Sequence, residues 1–194
     1  MSEPFKKVTV PVAEICKGLA LTPEAKALET PGAAAPALFD ALVSQGLYAD
    51  AIRFLARGLP KRESVWWACL CARDRLPDDA SPEILAALKA AEDWVYKPTE
   101  ENRRTAMAKA EVAKFETPSA WAAVGAFWSG GSMSPPGNPV VPPGEHLTGL
   151  AVAGSIMLAA AQIEPQNANQ RYQEFLAYGA NIARGGRGRD AATA

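Results

Sequence analysis

The chain has 194 residues, of which 48% are hydrophobic and 21% charged, and its 20 Lys and Arg residues nearly balance 21 Asp and Glu residues. A chain of this length can bury a full hydrophobic core without disulfides, and one domain is the expected number. The near-neutral charge and the lack of a long basic run argue against a nucleic-acid partner, because phosphate binding needs a positive surface.

Charged residues are distributed unevenly along the chain. At 21% of the 47 residues from 117 to 163 there would be about ten charges, yet Glu145 is the single charged residue in that segment. Such a segment belongs either in the interior of the protein or against a partner.

The 39 alanines favour helix over strand. We therefore predict an all-α helical bundle or array of about seven to nine helices built from hairpins, with an ordered Gly/Pro-rich loop. Residues 1–184 are expected to form a single helical domain and residues 185–194 a disordered tail. A run of alternating valines at residues 7–12 is the exception, and Pro11 limits it to an edge strand or an extended lead-in.

The helices are predicted in chain order from capping residues, prolines and apolar spacing. A short helix begins at Thr22-Pro23. Further helices follow over about 36–45, 48–59, 63–73, 82–97, 99–115, 118–128, 147–163 and 167–183. In the third of these, Trp66, Cys69 and Leu70 are predicted to share one face. The helix over 99–115 is predicted to be charged and largely exposed.

The stretch from Gly46 to Pro60 resembles the second helix of a tetratricopeptide repeat. In that family the Gly and the following Tyr permit tight helix packing, a small Ala such as Ala51 is the contact residue, and the Pro ends the unit. The match covers about half of one repeat, without a recurrence at about 34 residues. The resemblance implies helical hairpins that present an interaction surface.

A second resemblance rests on the run from Phe127 to Met133, the proline pairs that follow it, and His146-Leu147-Thr148. These residues are similar to an uncharacterised bacterial family of about this length that is associated with secretion-system gene neighbourhoods. The resemblance implies no known reaction and therefore no catalytic residue.

Metal binding is not expected. Cys69 and Cys71 are the only local pair of soft ligands, and residues two apart on a helix point about 200° apart. With Cys16, the cysteines are better interpreted as small apolar packing residues. Three cysteines in a chain of this size indicate a reducing compartment, so we expect a cytoplasmic location. No cofactor is expected. The acid before the lysines of the N-terminus does not fit a secretory signal.

His146 is the only histidine, and it follows a loop that contains Ser129, Ser132 and Ser134. A hydrolase would need a serine on a sharp turn within hydrogen-bond reach of this base. The loop lacks the Gly-x-Ser-x-Gly elbow, and its Ser-Gly-Gly-Ser run lacks the lysine of a phosphate-binding loop. A hydrolase or small-ligand site at this loop is therefore the alternative interpretation.

Residues 129–144 form an uncharged stretch with five prolines and four glycines, which we call the proline loop. Its composition favours extended polyproline geometry, which suits a partner with an aromatic-lined groove. Packing across the protein's own Trp121 and Trp128 is equally compatible. The candidate interaction or ligand site comprises Trp128, Ser132, Met133, Pro135, Pro136, Pro139, Pro142, Pro143 and His146.

The uncharged helix over 147–163 has 17 residues, fewer than the roughly 20 that span a bilayer, so no membrane span is predicted. Together these features predict a non-catalytic cytosolic interaction protein: an adaptor, scaffold or chaperone-like accessory. The family resemblance adds a link to a secretion system. We expect an unidentified protein partner, and homo-oligomerisation through the uncharged half is a further possibility.

Overall fold

A computed structural model describes residues 3–189, and this part of the chain contains ten α-helices, one short 3-10 helix and no strand. The helices are α1 (Val12–Cys16), α2 (Pro23–Ala27), α3 (Ala35–Ser44), α4 (Tyr48–Gly58), α5 (Lys61–Asp74), α6 (Pro82–Tyr96), α7 (Glu100–Val112), α8 (Pro118–Phe127), α9 (Leu147–Ala161) and α10 (Ala168–Arg184), with the 3-10 helix at Pro165–Asn167. The predicted all-α class is confirmed. The helix count exceeds the predicted seven to nine because α1 begins where an edge strand or lead-in was expected to end.

Three threonines cap the N-termini of helices. The side chains of Thr22, Thr99 and Thr117 each accept a hydrogen bond from a backbone N–H in the first turn of α2, α7 and α8. These bonds satisfy donors that a helix leaves free at its N-terminus. Ser81 precedes Pro82 as predicted, but its side chain makes no such capping bond.

Helices α8 and α9 form the centre of the bundle. Helix α9 packs against α4, α5 and α8, and α8 packs also against α5, α6 and α7. Both helices lack charged residues and carry alanines that are fully buried, such as Ala122 and Ala159. Small side chains let surrounding helices approach from several sides. The uncharged helices α8 and α9, which make up most of the segment with few charges, therefore form the interior of the bundle.

Trp67 is the largest fully buried side chain described, and it joins α5 to α10. Its indole N–H donates to the carbonyl oxygen of Phe175 over 2.7 Å. A β-carbon at Gly179 would lie 2.7 Å from the Trp67 ring, so α10 approaches closely because this residue has no side chain. On the face predicted to carry Trp66, Cys69 and Leu70, the last two are buried, and Trp66 is half-buried and packs against the core.

The disordered tail is predicted to begin at residue 185, and residues 185–189 are the part of it that the structure describes; they lie against the bundle. Trp66 donates its indole N–H to the Arg187 carbonyl over 2.9 Å. Gly188 donates its N–H to the Asn181 side chain, and Arg189 donates to the Leu70 carbonyl. The rest of the predicted tail, residues 190–194, lies outside the described residues.

Among residues 3–189, no single helix is long and apolar enough to cross a membrane. Helix α9 and the segment Pro165–Arg184 pass that test only as a pair, and they are bent by 113° where they meet.

Candidate functional site

The proline loop folds back on itself at a tight turn. Asn138 donates its N–H to the Pro135 carbonyl over 3.2 Å, with Pro136 and Gly137 between them. Gly137 has a φ of 88°, so proline and glycine hold the positions that a type II turn favours for them. The turn interrupts the polyproline strip that the composition predicts.

Ser132 ties the two arms of the loop together. Its hydroxyl oxygen accepts hydrogen bonds from the N–H groups of Ser134 and Val141, each over 3.1 Å. The N–H of Met133 donates to the Val141 carbonyl over 2.8 Å. These bonds satisfy backbone groups that a loop otherwise leaves to water. In this structure Ser132 therefore organises the loop.

A buried arginine from α7 anchors the loop to the bundle. Arg103 is 3% exposed. It donates to the Phe127 carbonyl over 2.6 Å and to the Ser132 carbonyl over 2.8 Å, and its guanidinium lies 4.5 Å from the centre of the Phe127 ring. A buried charge is tolerated when its hydrogen bonds are satisfied, as they are at this position.

Glu100 completes the anchor on the solvent side. Its carboxylate accepts two hydrogen bonds from Arg103, over 2.6 and 2.8 Å, and one from Arg104 over 2.7 Å. The hydrogen bond with Arg103 is the main reason that the pKa of Glu100 falls to about 2. Arg104 also donates to the Ser134 carbonyl over 3.1 Å. We call Glu100, Arg103 and Arg104 the α7 clamp.

The clamp holds an apolar surface in solvent. Four of the five loop prolines are exposed, namely Pro135, Pro136, Pro139 and Pro142, and Pro143 is buried. Val140 is 76% exposed and Val141 45% exposed, and Met133 is also exposed. The outer part of the loop therefore does not pack into the protein's own core.

Trp121 and Trp128 lie at the base of the loop, where their rings meet edge to face with centres 6.4 Å apart. Both rings are half-buried and pack against the core. Trp128 ends α8, directly before the loop. Packing of the proline loop across Trp121 and Trp128 is the alternative that the sequence left open. In the structure this tryptophan pair does not cover the exposed prolines.

His146 stands apart from the rest of the predicted site. It precedes α9 and lines a cavity with Arg53 and Arg57 of α4. No residue of the proline loop lines that cavity, and no hydrogen bond joins His146 to Ser132 within the described part of the chain. Ser132 and Met133 thus take part in the hydrogen bonds that organise the loop, and His146 takes part in none of those bonds.

The three cysteines are buried and free. Burial raises the pKa of the Cys16 thiol to about 11, and it raises the pKa of Cys69 and Cys71 further. No group of three or more His, Cys, Asp or Glu side chains in residues 3–189 is placed to hold a metal ion.

Sequence reasoning missed the α7 clamp. The helix over 99–115 is predicted to be charged and largely exposed, whereas Arg103 is buried beneath the loop. The spacing of Glu100 from Arg103 and Arg104, three and four residues on, was the available signal, because such pairs share a helix face. Spacing alone does not show that the loop, about 30 residues later, lies on that face.

Comparison with known proteins adds one match. No curated protein and no solved structure shows significant similarity to the chain. The model of a family of unknown function, DUF6931, matches residues 38–183, which include α4 to α9, the whole proline loop and nearly all of α10. The chain therefore belongs to the family of unknown function DUF6931.

Proposed function

We propose that this protein is a non-catalytic interaction protein that presents the proline loop to a protein partner. One observation carries the proposal: an uncharged loop with exposed Pro136, Pro139 and Val140 is held outward by a buried, fully hydrogen-bonded arginine. Exposed apolar surface that is contiguous in this way is typical of a binding site.

The order of the loop supports this interpretation. A flexible apolar loop could fold onto the bundle, but the Ser132 bonds and the α7 clamp restrain both arms. A surface that is rigid before binding loses less conformational entropy when a partner docks. Proline and valine add to this advantage because their side chains have little rotamer freedom.

The chemistry of the loop favours a partner with an apolar, aromatic-lined groove. Prolines present a stiff apolar surface together with carbonyl oxygens, and such grooves bind both. The loop carries no charge from Ser129 to Gly144, so recognition depends on shape and hydrogen bonding.

The proposed setting is the bacterial cytosol, where the protein acts as an adaptor, scaffold or chaperone-like accessory. The sequence resemblances support tetratricopeptide-like hairpins and a link to a secretion system.

A comparison of matched surface variants tests the proposal. The double substitution Val140→Ser and Val141→Ser removes apolar side chains and leaves the backbone bonds of the loop in place. Tyr96→Ser is the control, because Tyr96 is an 86% exposed aromatic side chain at the end of α6, outside the proline loop. Each variant is cross-linked in its native cells, and captured proteins are quantified by mass spectrometry.

A specific partner should be captured by the wild type and by Tyr96→Ser, and recovery should fall at least about tenfold with the valine variant. Equal recovery with all three proteins would contradict the proposal. Light scattering distinguishes the oligomer possibility: a mass well above 20.5 kDa that the valine substitutions reduce would make the partner a second copy of the chain.

A further inference from the structure

A cavity on another face of the bundle has the features of a small anion site. It has a volume of about 120 Å³ and lies between the α1–α2 connection, α4 and the first turns of α9. Its lining residues are Gly18, Leu19, Ala20, Arg53, Arg57, His146, Gly149, Leu150 and Ala153. We call it the α4–α9 cavity.

Positive charge in the cavity is only partly matched by negative charge. Arg53 and Arg57 are four residues apart on α4, so they share a face and repel each other. Arg53 approaches Asp50 at 3.4 Å, but that carboxylate also accepts two closer hydrogen bonds from Thr22. Among the described residues Arg57 has no ion pair or hydrogen bond, and none of the lining residues is acidic.

The start of α9 adds to the positive potential. Gly149 lies so close to α4 that a β-carbon there would be 3.1 Å from the Arg57 α-carbon. His146 precedes the helix without a side-chain capping bond, and the first bond back to it comes from the Leu150 N–H. The positive end of the helix dipole is therefore next to the two arginines.

The rest of the lining is largely apolar and includes Leu19, Ala20 and Ala153. A cavity of about 150 Å³ holds benzene, so this one encloses about five heavy atoms. It opens to solvent at His146 and Leu150, which are exposed, so a slightly longer ligand can extend there. Guanidinium groups bind carboxylates through paired hydrogen bonds. We propose that the α4–α9 cavity binds a short-chain monocarboxylate, with the carboxylate at Arg57 and Arg53 and the alkyl chain against the apolar wall.

Calorimetric titration with butyrate tests this proposal. Saturable binding at one site is expected, and butanamide, which has the same shape without the charge, should bind at least about tenfold more weakly. Arg57→Gln should weaken butyrate binding about tenfold. Arg187→Gln is the matched control, since it removes one arginine outside the cavity, and it should leave the affinity within about twofold.

Circular dichroism and thermal unfolding establish that the Arg57→Gln variant is folded. Chemical-shift changes at Ala153 and Gly149 on adding butyrate would place the ligand in the cavity. Equal affinity for butyrate and butanamide, unchanged affinity in Arg57→Gln, or no saturable binding would each overturn the proposal. Inorganic phosphate that binds as tightly as butyrate would overturn the assignment to a carboxylate with an alkyl chain.

Discussion

The guanidinium of Arg103 donates to the carbonyl oxygen of Ser132 over 2.8 Å, and this contact joins the first turn of α7 to the start of the proline loop. Ser132 in turn accepts hydrogen bonds from both arms of the loop. One buried cation and one hydroxyl thus set the position of the exposed apolar surface of the loop. The stability of the loop and of the bundle should depend on them jointly.

Replacing Arg103 with alanine should lower the free energy of unfolding by about 3 kcal/mol, because the buried Phe127 carbonyl loses its donor and the Ser132 carbonyl keeps only its longer bond from Arg104, at 3.3 Å. Arg104→Ala is the control: its side chain is more exposed, and its loss should cost about 1 kcal/mol or less. Urea denaturation followed by tryptophan fluorescence measures both. Similar losses for the two variants would show that Arg103 is not the anchor.

Gly131→Ala should destabilise the loop by about 2 kcal/mol. Gly131 has a φ of 66°, which costs other residues about 1 kcal/mol or more, and a β-carbon there would lie 2.9 Å from the Arg103 guanidinium. Gly130→Ala has open space around the new methyl group and should change stability by less than about 0.5 kcal/mol. Chemical denaturation of the two adjacent variants compares them directly, and equal effects would contradict the prediction.

The low pKa of Glu100 predicts a pH dependence of stability. The hydrogen bond with Arg103 holds this pKa at about 2 in the folded protein, below the usual 4.5. The unfolded chain therefore takes up the proton first, so the stabilisation is complete above about pH 4.5 and is lost as the pH falls towards 2.

Urea midpoints measured from about pH 6 down to about pH 2.5 test this dependence. The wild type should lose its stability advantage over Glu100→Gln across that window. Glu101→Gln, in the same helical turn, controls for the change in net charge. A constant difference between wild type and Glu100→Gln at every pH would refute the assignment.

Two glycines in helices should respond oppositely to alanine. Gly179→Ala places a methyl group 2.7 Å from Trp67 and 2.8 Å from Leu55, and overpacking of this kind should cost about 2 kcal/mol. Gly154→Ala in α9 meets nothing within 4 Å and should stabilise the protein by about 0.5 kcal/mol or more through its helix propensity. Differential scanning calorimetry should give melting temperatures that move in opposite directions.

Local sequence signals predicted most of the helices correctly. Thr22-Pro23 and Pro118 start helices where expected, and Pro60 separates α4 from α5. These features act within one helical turn, so they can be recognised without knowing the fold. The interior position of α8 and α9 was also predictable, because segments without charge are most stable out of water.

The tertiary structure alone decided which way the proline loop faces and what holds it. Its composition was compatible with inward or outward packing, and the difference depends on Arg103, which is 29 residues from Ser132 in sequence. It also placed His146 in one cavity with Arg53 and Arg57, more than 85 residues away in the sequence. Composition and periodicity describe one segment at a time. These contacts instead join side chains that are distant in sequence, and they form only because α7 packs on α8 and α4 packs on α9.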